Sequence, residues 1–288
     1  MRRSEVAAAS PDGTYQEDGV VSYFRRQAAL EELTPLPVAL SGWGAQHMRG
    51  SAVTGALARS AETAGQKRTD LRPARFTADL QKAATMETVC THSTIIREGG
   101  RLMLVDTELR QRDGVVARAR TLFLPAAEQI DATPPWTSVT TPSFPPEHLR
   151  PETSEGRLFY SEDTGWDANA GRHRNSTRKQ VWCHSIPIVT GELPTPFQAT
   201  AVVSDLTNLV THWGAKGVRH INADVTLVLA REPNGSGMGI SATGRTGMGT
   251  LSVATAEIYD HHGVFGYTTV AALLHRDRAV DTYTHLMR

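Results

Sequence analysis

The sequence predicts an α+β protein built from two similar units in tandem, and three observations support this prediction. Each half of the 288-residue chain contains one apolar pattern of helical period, followed by several patterns of strand period. Each half ends in two strand patterns that flank a short turn containing Asp and Gly. A proline-rich stretch separates the halves, and prolines at this density exclude a helix or a central strand.

Composition and charge limit the classes of function. Hydrophobic residues make up 40% of the chain and charged residues 21%, so a packed core is expected and overall disorder is not. The 30 basic and 30 acidic residues balance, so we expect neither nucleic acid nor an anionic membrane as a partner. The two cysteines, Cys90 and Cys183, are far apart and exclude a disulfide framework. No apolar stretch reaches the ~18 residues of a membrane span, and the simplest compartment is a reducing cytoplasm.

The proline-rich stretch sets the predicted domain boundaries. It runs from Asp131 to Pro151 and interleaves prolines with Ser and Thr. Such a segment is typical of an extended connector. We therefore expect a flexible leader at residues 1–18, a first unit at 19–130, a connector at 131–155 and a second unit at 156–288.

Each unit contains a helix pattern, a strand pattern and a hairpin pattern in the same order. In the first unit they cover residues 50–62, 75–80 and 102–124. In the second unit they cover residues 196–210, 220–225 and 251–274. Two landmarks have similar spacings, since Asp79 and Asp224 are 145 positions apart and the turn glycines Gly114 and Gly263 are 149 apart. This agreement predicts a duplicated unit.

One helix wrapped by a curved antiparallel sheet buries both the helix and one face of the sheet. This arrangement is the hot-dog fold. We therefore predict a tandem (double) hot-dog, in which two antiparallel sheets each wrap around a central helix and pair into one continuous sheet.

Several motifs also resemble a known family. The segments INADVTLVLAREP and GISATGRTGMGTLSVATAEIYDHHGVFGYTTVAALLHR resemble the C-terminal half of acyl-CoA thioesterase II. They are similar as well to the thioesterase-like double hot-dog proteins common in actinobacteria. In the first half, the segment IIREGGRLMLVDTELRQRDGVVARA resembles a strand and hairpin of the same family. The similarity extends from about Tyr23 to His275.

The resemblance implies a hydrolase that cleaves an acyl-CoA, with water as the nucleophile and neither a metal nor an organic cofactor. In the family an aspartate, a threonine or serine, and a glutamine orient the water against the thioester carbonyl. The aspartate corresponds to Asp224 and the hydroxyl to Thr243. The glutamine corresponds to Ala271, which has no polar side chain, so the sequence departs from the family at this position.

The strand pattern around Asp224 is consistent with this role. A period of two places Ile221, Ala223 and Val225 on the core face, and Asn222 and Asp224 on the other face. A carboxylate beside an amide can take a proton from a water that attacks a carbonyl. The counterpart in the first unit, Asp79, is expected to be solvated instead.

The start of the first helix supplies candidate substrate-binding residues. His47 precedes the helix, and Gly50 and Ser51 begin it. Backbone N–H groups at a helix start can stabilise a developing oxyanion. We therefore predict that His47, Gly50, Ser51 and the amide of Asn222 contact the thioester.

Two other functions fit the same fold. The first is a hydratase or dehydratase of acyl thioesters that pairs Asp224 with His47. The second is a module that binds acyl-CoA without catalysis, as the alanine at position 271 would allow. Basic residues at 172–179 either contact the phosphates of coenzyme A or, as we favour, form a solvated loop. Exposed sheet surface predicts a homodimer or a higher homo-oligomer.

Overall fold

The structure is a computed structural model that describes residues 21–27, 32–126, 142–152, 155–235 and 237–280. The predicted leader at 1–18 lies outside the described residues, as do residues 131–141 of the predicted connector and residues 153–154. The predicted domain boundaries therefore stay predictions. The described part of the connector packs through Phe144, whose ring contacts Trp182 and Tyr259 edge-on at centroid distances of 5.9 and 5.5 Å.

The first half contains one long helix and six strands among the described residues. The strands are β1 (Phe24–Gln27), β2 (Glu32–Pro35), β3 (Leu71–Asp79), β4 (Cys90–Gly99), β5 (Leu102–Gln111) and β6 (Gly114–Pro125). The helix α1 (Gly50–Gly65) lies between β2 and β3, preceded by a short 3-10 turn at Pro37–Ala39. Every residue of α1 from Ser51 to Ala58 is buried, which identifies it as a central helix enclosed on all sides.

The second half repeats this plan with more strands. They are β7 (Arg157–Ser161), β8 (Gly165–Asp167), β9 (Lys179–His184), β10 (Trp213–Gly214), β11 (Gly217–Val218), β12 (His220–Asn222), β13 (Asp224–Leu229), β14 (Gly237–Met248), β15 (Leu251–Asp260) and β16 (Gly263–Leu274). The helices are α2 (Pro196–Ser204) and α3 (Leu206–His212), and a 3-10 turn lies at Ala170–His173. Thr195 caps α2, since its hydroxyl accepts the N–H of Gln198 at 3.2 Å.

Twelve of these strands, from both halves, form one continuous antiparallel sheet, as predicted, whereas β1 with β2 and β10 with β11 form separate two-stranded ladders. Its order in the described residues is β4-β5-β6-β3-β13-β16-β15-β14-β9-β7-β8, and β12 pairs with β16 beside β13. The two closing hairpins turn at Gly114 and Gly263, whose φ angles of 107° and 105° lie in the region that favours glycine. The helices pack on one face of the sheet, α1 against β4, β5 and β6, and α3 against β14, β15 and β16.

The halves meet where β3 pairs with β13. Thr77 and Thr226 lie opposite each other in this ladder, and their hydroxyl oxygens are 3.3 Å apart. Asp79 and Asp224 are also direct cross-strand partners. The spacing of the elements, however, does not match the 145 positions that separate these two aspartates. Strands β3, β5 and β6 begin 149 positions before β12, β15 and β16 respectively, and this spacing does not superpose Asp79 on Asp224.

Two predicted elements are interrupted in the second half. The predicted helix at 196–210 breaks at Asp205, which separates α2 from α3. The predicted strand around Asp224 breaks at Ala223. At this point the N–H of Ala271 donates at 2.6 Å to the Asp224 carboxylate instead of to a backbone carbonyl of the neighbouring strand. As a result, Ile221 and Ala223 are exposed rather than in the core, whereas Val225 is buried as predicted.

None of the helices in the described ranges is long and apolar enough to span a lipid bilayer.

The junction between the halves should be the most sensitive part of the core. Phe76 on β3 is fully buried and meets Phe197 of α2 edge-on at a centroid distance of 5.9 Å. Phe76→Ala should lower the free energy of unfolding by about 3–5 kcal/mol, because it leaves a cavity between the halves. The control Leu193→Ala removes a side chain that is 93% exposed and should change it by less than ~0.5 kcal/mol. Chemical denaturation monitored by fluorescence measures both, and equal effects would contradict this packing.

Candidate active site

A cavity of about 200 Å³ opens between the two halves, where the first turn of α1 faces the break between α2 and α3. Its walls come from the segment before α1, the segment after β3, the α2–α3 break and β12. The polar and charged residues among those that line it are Ser41, His47, Arg49, Ser51, Lys82, Arg157, Asp205, Asn208 and Asn222. Apolar side chains such as Trp43, Leu209 and Ile221 complete the walls.

The start of α1 directs backbone donors into this cavity. The amides of the first helical turn have no partner within the helix. Arg49 occupies the N-cap position in extended backbone and makes no side-chain cap bond to them. Gly50 and Ser51, the first two helical residues, both line the cavity. Among the described residues, the N–H groups of Gly50 and Ser51 have no hydrogen-bond partner, and they lie at the positive end of the helix dipole, where an oxyanion is stabilised.

Asp205 places a carboxylate directly over this helix start. Its Oδ2 accepts the hydroxyl of Ser51 at 2.9 Å, and its Oδ1 accepts the side-chain amide of Asn222 at 3.2 Å. A Cβ atom at position 50 would lie only 2.2 Å from Asp205 Oδ1, so this approach requires glycine at that position. Two donors from different elements thus fix the orientation of the carboxylate.

Buried arginines lie behind this carboxylate. Arg49 and Arg157 both form ion pairs with Glu155, and both arginines line the cavity. Burial raises the pKa of the Asp205 carboxyl above its ordinary value. The hydrogen bonds from Asn222 and Ser51 and the positive charges of the arginines oppose this rise without cancelling it. The environment therefore brings the carboxyl closer to the range in which a general base works at neutral pH.

Comparison with models of protein families matches two successive segments of the chain. The model described as the acyl-CoA thioesterase N-terminal domain matches residues 39–124, and the acyl-CoA thioesterase C-terminal domain matches residues 127–272. The chain belongs to the acyl-CoA thioesterase family. It is therefore a thioester hydrolase, and the resemblance seen in the sequence motifs is confirmed. Among curated proteins, no sequence matches this thioesterase.

Solved structures share the architecture of this thioesterase at low sequence identity. The putative thioesterase II of Thermobifida fusca YX is 15% identical with a TM-score of 0.62, over 87% of this chain and 94% of its own. The acyl-CoA thioesterase II TesB2 of Mycobacterium marinum is 15% identical with a TM-score of 0.61, over 86% and 94%. A hot dog fold protein of unknown function from Alicyclobacillus acidocaldarius is 13% identical with a TM-score of 0.59, over 86% and 94%. These likenesses confirm the double hot-dog fold.

The thioesterase brings four predicted residues together and leaves two apart from them. His47, Gly50, Ser51 and Asn222 all line the cavity. Asp224 and Thr243, which were predicted to be catalytic, do not line it. Their roles stay predictions, as do the substrate contacts of these four residues.

Asp224 and Thr243 lie outside the walls of the cavity. The Asp224 carboxylate accepts the N–H of Ala271. The side-chain amide of Asn222 donates at 3.3 Å to the backbone carbonyl oxygen of Asp224 and not to its carboxylate. Thr243 is exposed on β14 and its hydroxyl lies 2.9 Å from that of Thr255. Strands β16 and β15 separate β13 from β14 in the sheet, so Asp224 and Thr243 do not share a hydrogen bond.

Sequence reasoning missed Asp205, although its signal was present. The helix pattern at 196–210 is mostly apolar, and Asp205 is the single charged residue within it. An acidic residue in a helix that is otherwise built for the core requires a buried partner or a function. The prediction treated this segment only as a core helix.

The basic segment at 172–179 is only in part the solvated loop that we favoured, because His173 and Lys179 are buried whereas Arg172 and Arg178 are exposed. Arg172 forms an ion pair with Asp167, and Arg178 lies 3.6 Å from Glu162. Lys179 is only 1% exposed and donates to the Asn175 side chain at 2.7 Å. None of these residues lines the cavity. Within the described ranges, no group of three His, Cys, Asp or Glu side chains is placed to hold a metal ion.

The approach of Asp205 to Gly50 predicts the effect of one added methyl group. Gly50→Ala should displace the carboxylate and lower kcat/KM for an acyl-CoA about 10²-fold, as misplacement by about 1 Å can do. Its effect on stability should be smaller, because alanine in a helix gains up to ~1 kcal/mol over glycine. The control Gly100→Ala meets no atom within 4 Å and should leave turnover unchanged. Turnover and thermal unfolding are measured for both, and an active Gly50→Ala protein would contradict this geometry.

Proposed function

We propose that this thioesterase hydrolyses acyl-CoA in the cavity at the start of α1. One observation supports this most strongly, namely that unpaired helix N–H groups and an oriented carboxylate meet in a single cavity. Thioester hydrolysis requires both of these groups. The N–H groups stabilise negative charge on the carbonyl oxygen, and the carboxylate removes a proton from the attacking water.

The apolar walls fit the acyl part of such a substrate. Trp43, Val53 and Leu209 line the cavity and exclude bulk water from its interior. In a site of low polarity, hydrogen bonds to a developing charge are stronger than in water. No further catalytic group is then required for hydrolysis, since the thiolate of coenzyme A is a good leaving group.

The catalytic assignment that follows from the family resemblance is the rival description of this site. In it, Asp224 orients or deprotonates the water and Thr243 holds the water or the substrate. The N–H of Ala271, which bonds to Asp224, would then do part of the work of the glutamine that the family has at this position. The Asp224→Asn variant tests this assignment, since it should lose most turnover if Asp224 deprotonates the water and keep most of it if Asp224 does not.

The reaction is tested by incubating the protein with acetyl-, hexanoyl- and palmitoyl-CoA. We expect release of free coenzyme A and the corresponding carboxylic acid from at least one of them. A thiol reagent measures the release, and a protein-only blank is subtracted because the reagent also has access to the exposed thiol of Cys90. Mass spectrometry identifies the acid.

Two outcomes would contradict the proposed reaction. Conversion of enoyl-CoA into hydroxyacyl-CoA without release of coenzyme A would identify a hydratase, in which His47 and a cavity carboxylate act as a pair. Saturable binding of every acyl-CoA without any product would identify a binding module.

We also propose that the protein acts in the cytoplasm, in the metabolism of lipids. Two features support this location. Neither Cys90 nor Cys183 forms a disulfide. An acyl-CoA substrate belongs to the same compartment as coenzyme A.

We propose a homodimer or a higher homo-oligomer that forms through the outer face of the sheet. Leu251 and Leu273 are cross-strand partners on β15 and β16, and they are 51% and 50% exposed. Val253, two residues along β15, is 44% exposed, and Met248 at the end of β14 is 89% exposed. These side chains form a contiguous apolar surface that a second copy of the chain would bury.

Light scattering after size-exclusion chromatography tests the assembly. The unmodified protein should have at least twice the mass of one chain. Leu273→Asp places a charge in the apolar surface and should shift the protein towards the monomer. The control Leu193→Asp changes an exposed side chain that is not on the sheet and should leave the mass unchanged. A monomer at micromolar concentration before any substitution would contradict the proposed assembly.

A further inference from the structure

We propose that the segment after the last strand, residues 275–280, closes one wall of the cavity, and that Val280 in this wall limits the length of the acyl group that the thioesterase accepts. We name this segment the strap. The inference rests on the proposed hydrolysis in the cavity and adds the feature that selects its substrate. The strap follows the part of the chain that the family model matches, so the family match assigns no role to it.

Val280 is the residue of the strap that reaches the cavity. It is 8% exposed and lines the cavity, whereas residues 275–279 are exposed. Its backbone N–H donates to the carbonyl oxygen of Val218 at 2.8 Å, and its own carbonyl oxygen accepts the N–H of Val218 at 3.1 Å. Two residues that exchange both bonds form the hydrogen-bonded pair of an antiparallel ladder. This pair holds the Val280 side chain in place at the wall.

Arg278 ties the strap to the first half of the chain. Its guanidinium donates to the backbone carbonyl oxygen of Gly42 at 3.1 Å and to that of Trp43. Both of these residues line the cavity in the segment before α1. The donors of a guanidinium form a planar fork and can bind two acceptors at once. The strap therefore connects the end of β16, in the second half, with the segment before α1.

The first residues of the strap make further contacts on both sides. The imidazole of His275 stacks on the indole of Trp43, with a centroid distance of 6.1 Å and an angle of 23° between the rings. The N–H of His275 donates to the carbonyl oxygen of Arg219 at 2.8 Å. The side chain of Arg219 in turn donates to the carbonyl oxygen of Arg276 at 3.0 Å. The strap is thus anchored to both halves, and the wall is fixed before a substrate enters.

The wall that Val280 completes is apolar, which favours the acyl chain as its contact. The other apolar side chains of this part of the cavity are those of Trp43, Leu209, Val218 and Ile221. Contact with a hydrocarbon chain removes apolar surface from water on both sides. The pantetheine arm of coenzyme A carries amides, which lose hydrogen bonds to water against aliphatic side chains. With the carbonyl at the start of α1, we therefore assign the acyl chain to this wall.

The first test measures kcat/KM of Val280→Ala for a series of straight-chain acyl-CoAs from acetyl- to palmitoyl-CoA. The substitution enlarges the cavity at the wall, so chains longer than the one that the unmodified protein prefers should gain. The ratio of kcat/KM for the next longer homologue to that for the preferred chain should rise about tenfold or more, the effect of one methylene in an apolar pocket. An unchanged ratio would overturn the proposal. So would an equal change for every chain length, because it would place the constant part of the substrate against Val280.

The second test releases the strap without changing the wall itself. Arg278→Ala removes both bonds to the first half and should raise the same ratio. The double variant with Val280→Ala should gain less than the two single effects combined, because both act on one wall. Arg276→Ala is the matched control, since it removes an exposed side chain and keeps the carbonyl oxygen that Arg219 binds. Its ratio should stay within about twofold, and equal ratios in Arg276→Ala and Arg278→Ala would overturn the anchoring role.

Binding of substrate analogues separates the inference from the function on which it rests. Calorimetry measures the Kd of acyl-CoA analogues in which CH₂ replaces the thioester sulfur, over the same range of chain lengths. In Val280→Ala the preferred analogue should be longer than in the unmodified protein, whether or not coenzyme A is released from the substrates. If no coenzyme A is released, the proposed hydrolysis fails, and if the preferred length is the same in both proteins, the role of the strap fails. Thermal unfolding shows whether Val280→Ala is folded, and if it is not, Arg278→Ala decides the question.

Discussion

The pairing of β3 with β13 is the constraint on which the rest of this structure depends. It joins two antiparallel sheets into one and brings the start of α1 against the end of α2. Neither half alone contains both an unpaired helix start and the carboxylate that lies over it. The cavity exists because the halves are held in this register, with Thr77 opposite Thr226. The joining of the two halves therefore generates the cavity as well as the continuous sheet.

The helix start and Asp205 each reduce the free-energy cost of burying the other. Unpaired amides and a partly buried carboxylate are each unfavourable in an apolar environment. Placed together, the negative charge lies at the positive end of the helix dipole, and Ser51 and Asn222 satisfy the carboxylate oxygens. Only glycine at position 50 leaves room for the Asp205 carboxylate to lie this close to the helix start. In the proposed reaction, a substrate carbonyl would enter a site whose donors and acceptor are already oriented.

Much of the fold could be predicted from the sequence, because periodicity and turn residues report local structure directly. Both closing hairpins lie where Gly114 and Gly263 predicted them. The site was harder to predict, because the breaks at Asp205 and Ala223 depend on partners distant in sequence. The Asp205 carboxylate is held by Ser51, 154 positions away, and no local pattern indicates that contact. Likewise, a period of two placed Ala223 in the core, but the bond from Ala271 to Asp224 changes the pleat there.

The most direct test of this account is a crystal structure with a bound acyl-CoA analogue in which CH₂ replaces the thioester sulfur. The account predicts a carbonyl oxygen within about 3.2 Å of the Gly50 or Ser51 amide nitrogen. It also predicts that one water lies between the Asp205 carboxylate and the carbonyl carbon. A carbonyl bound on the outer face of the sheet, beside Asp224 and away from the start of α1, would contradict it.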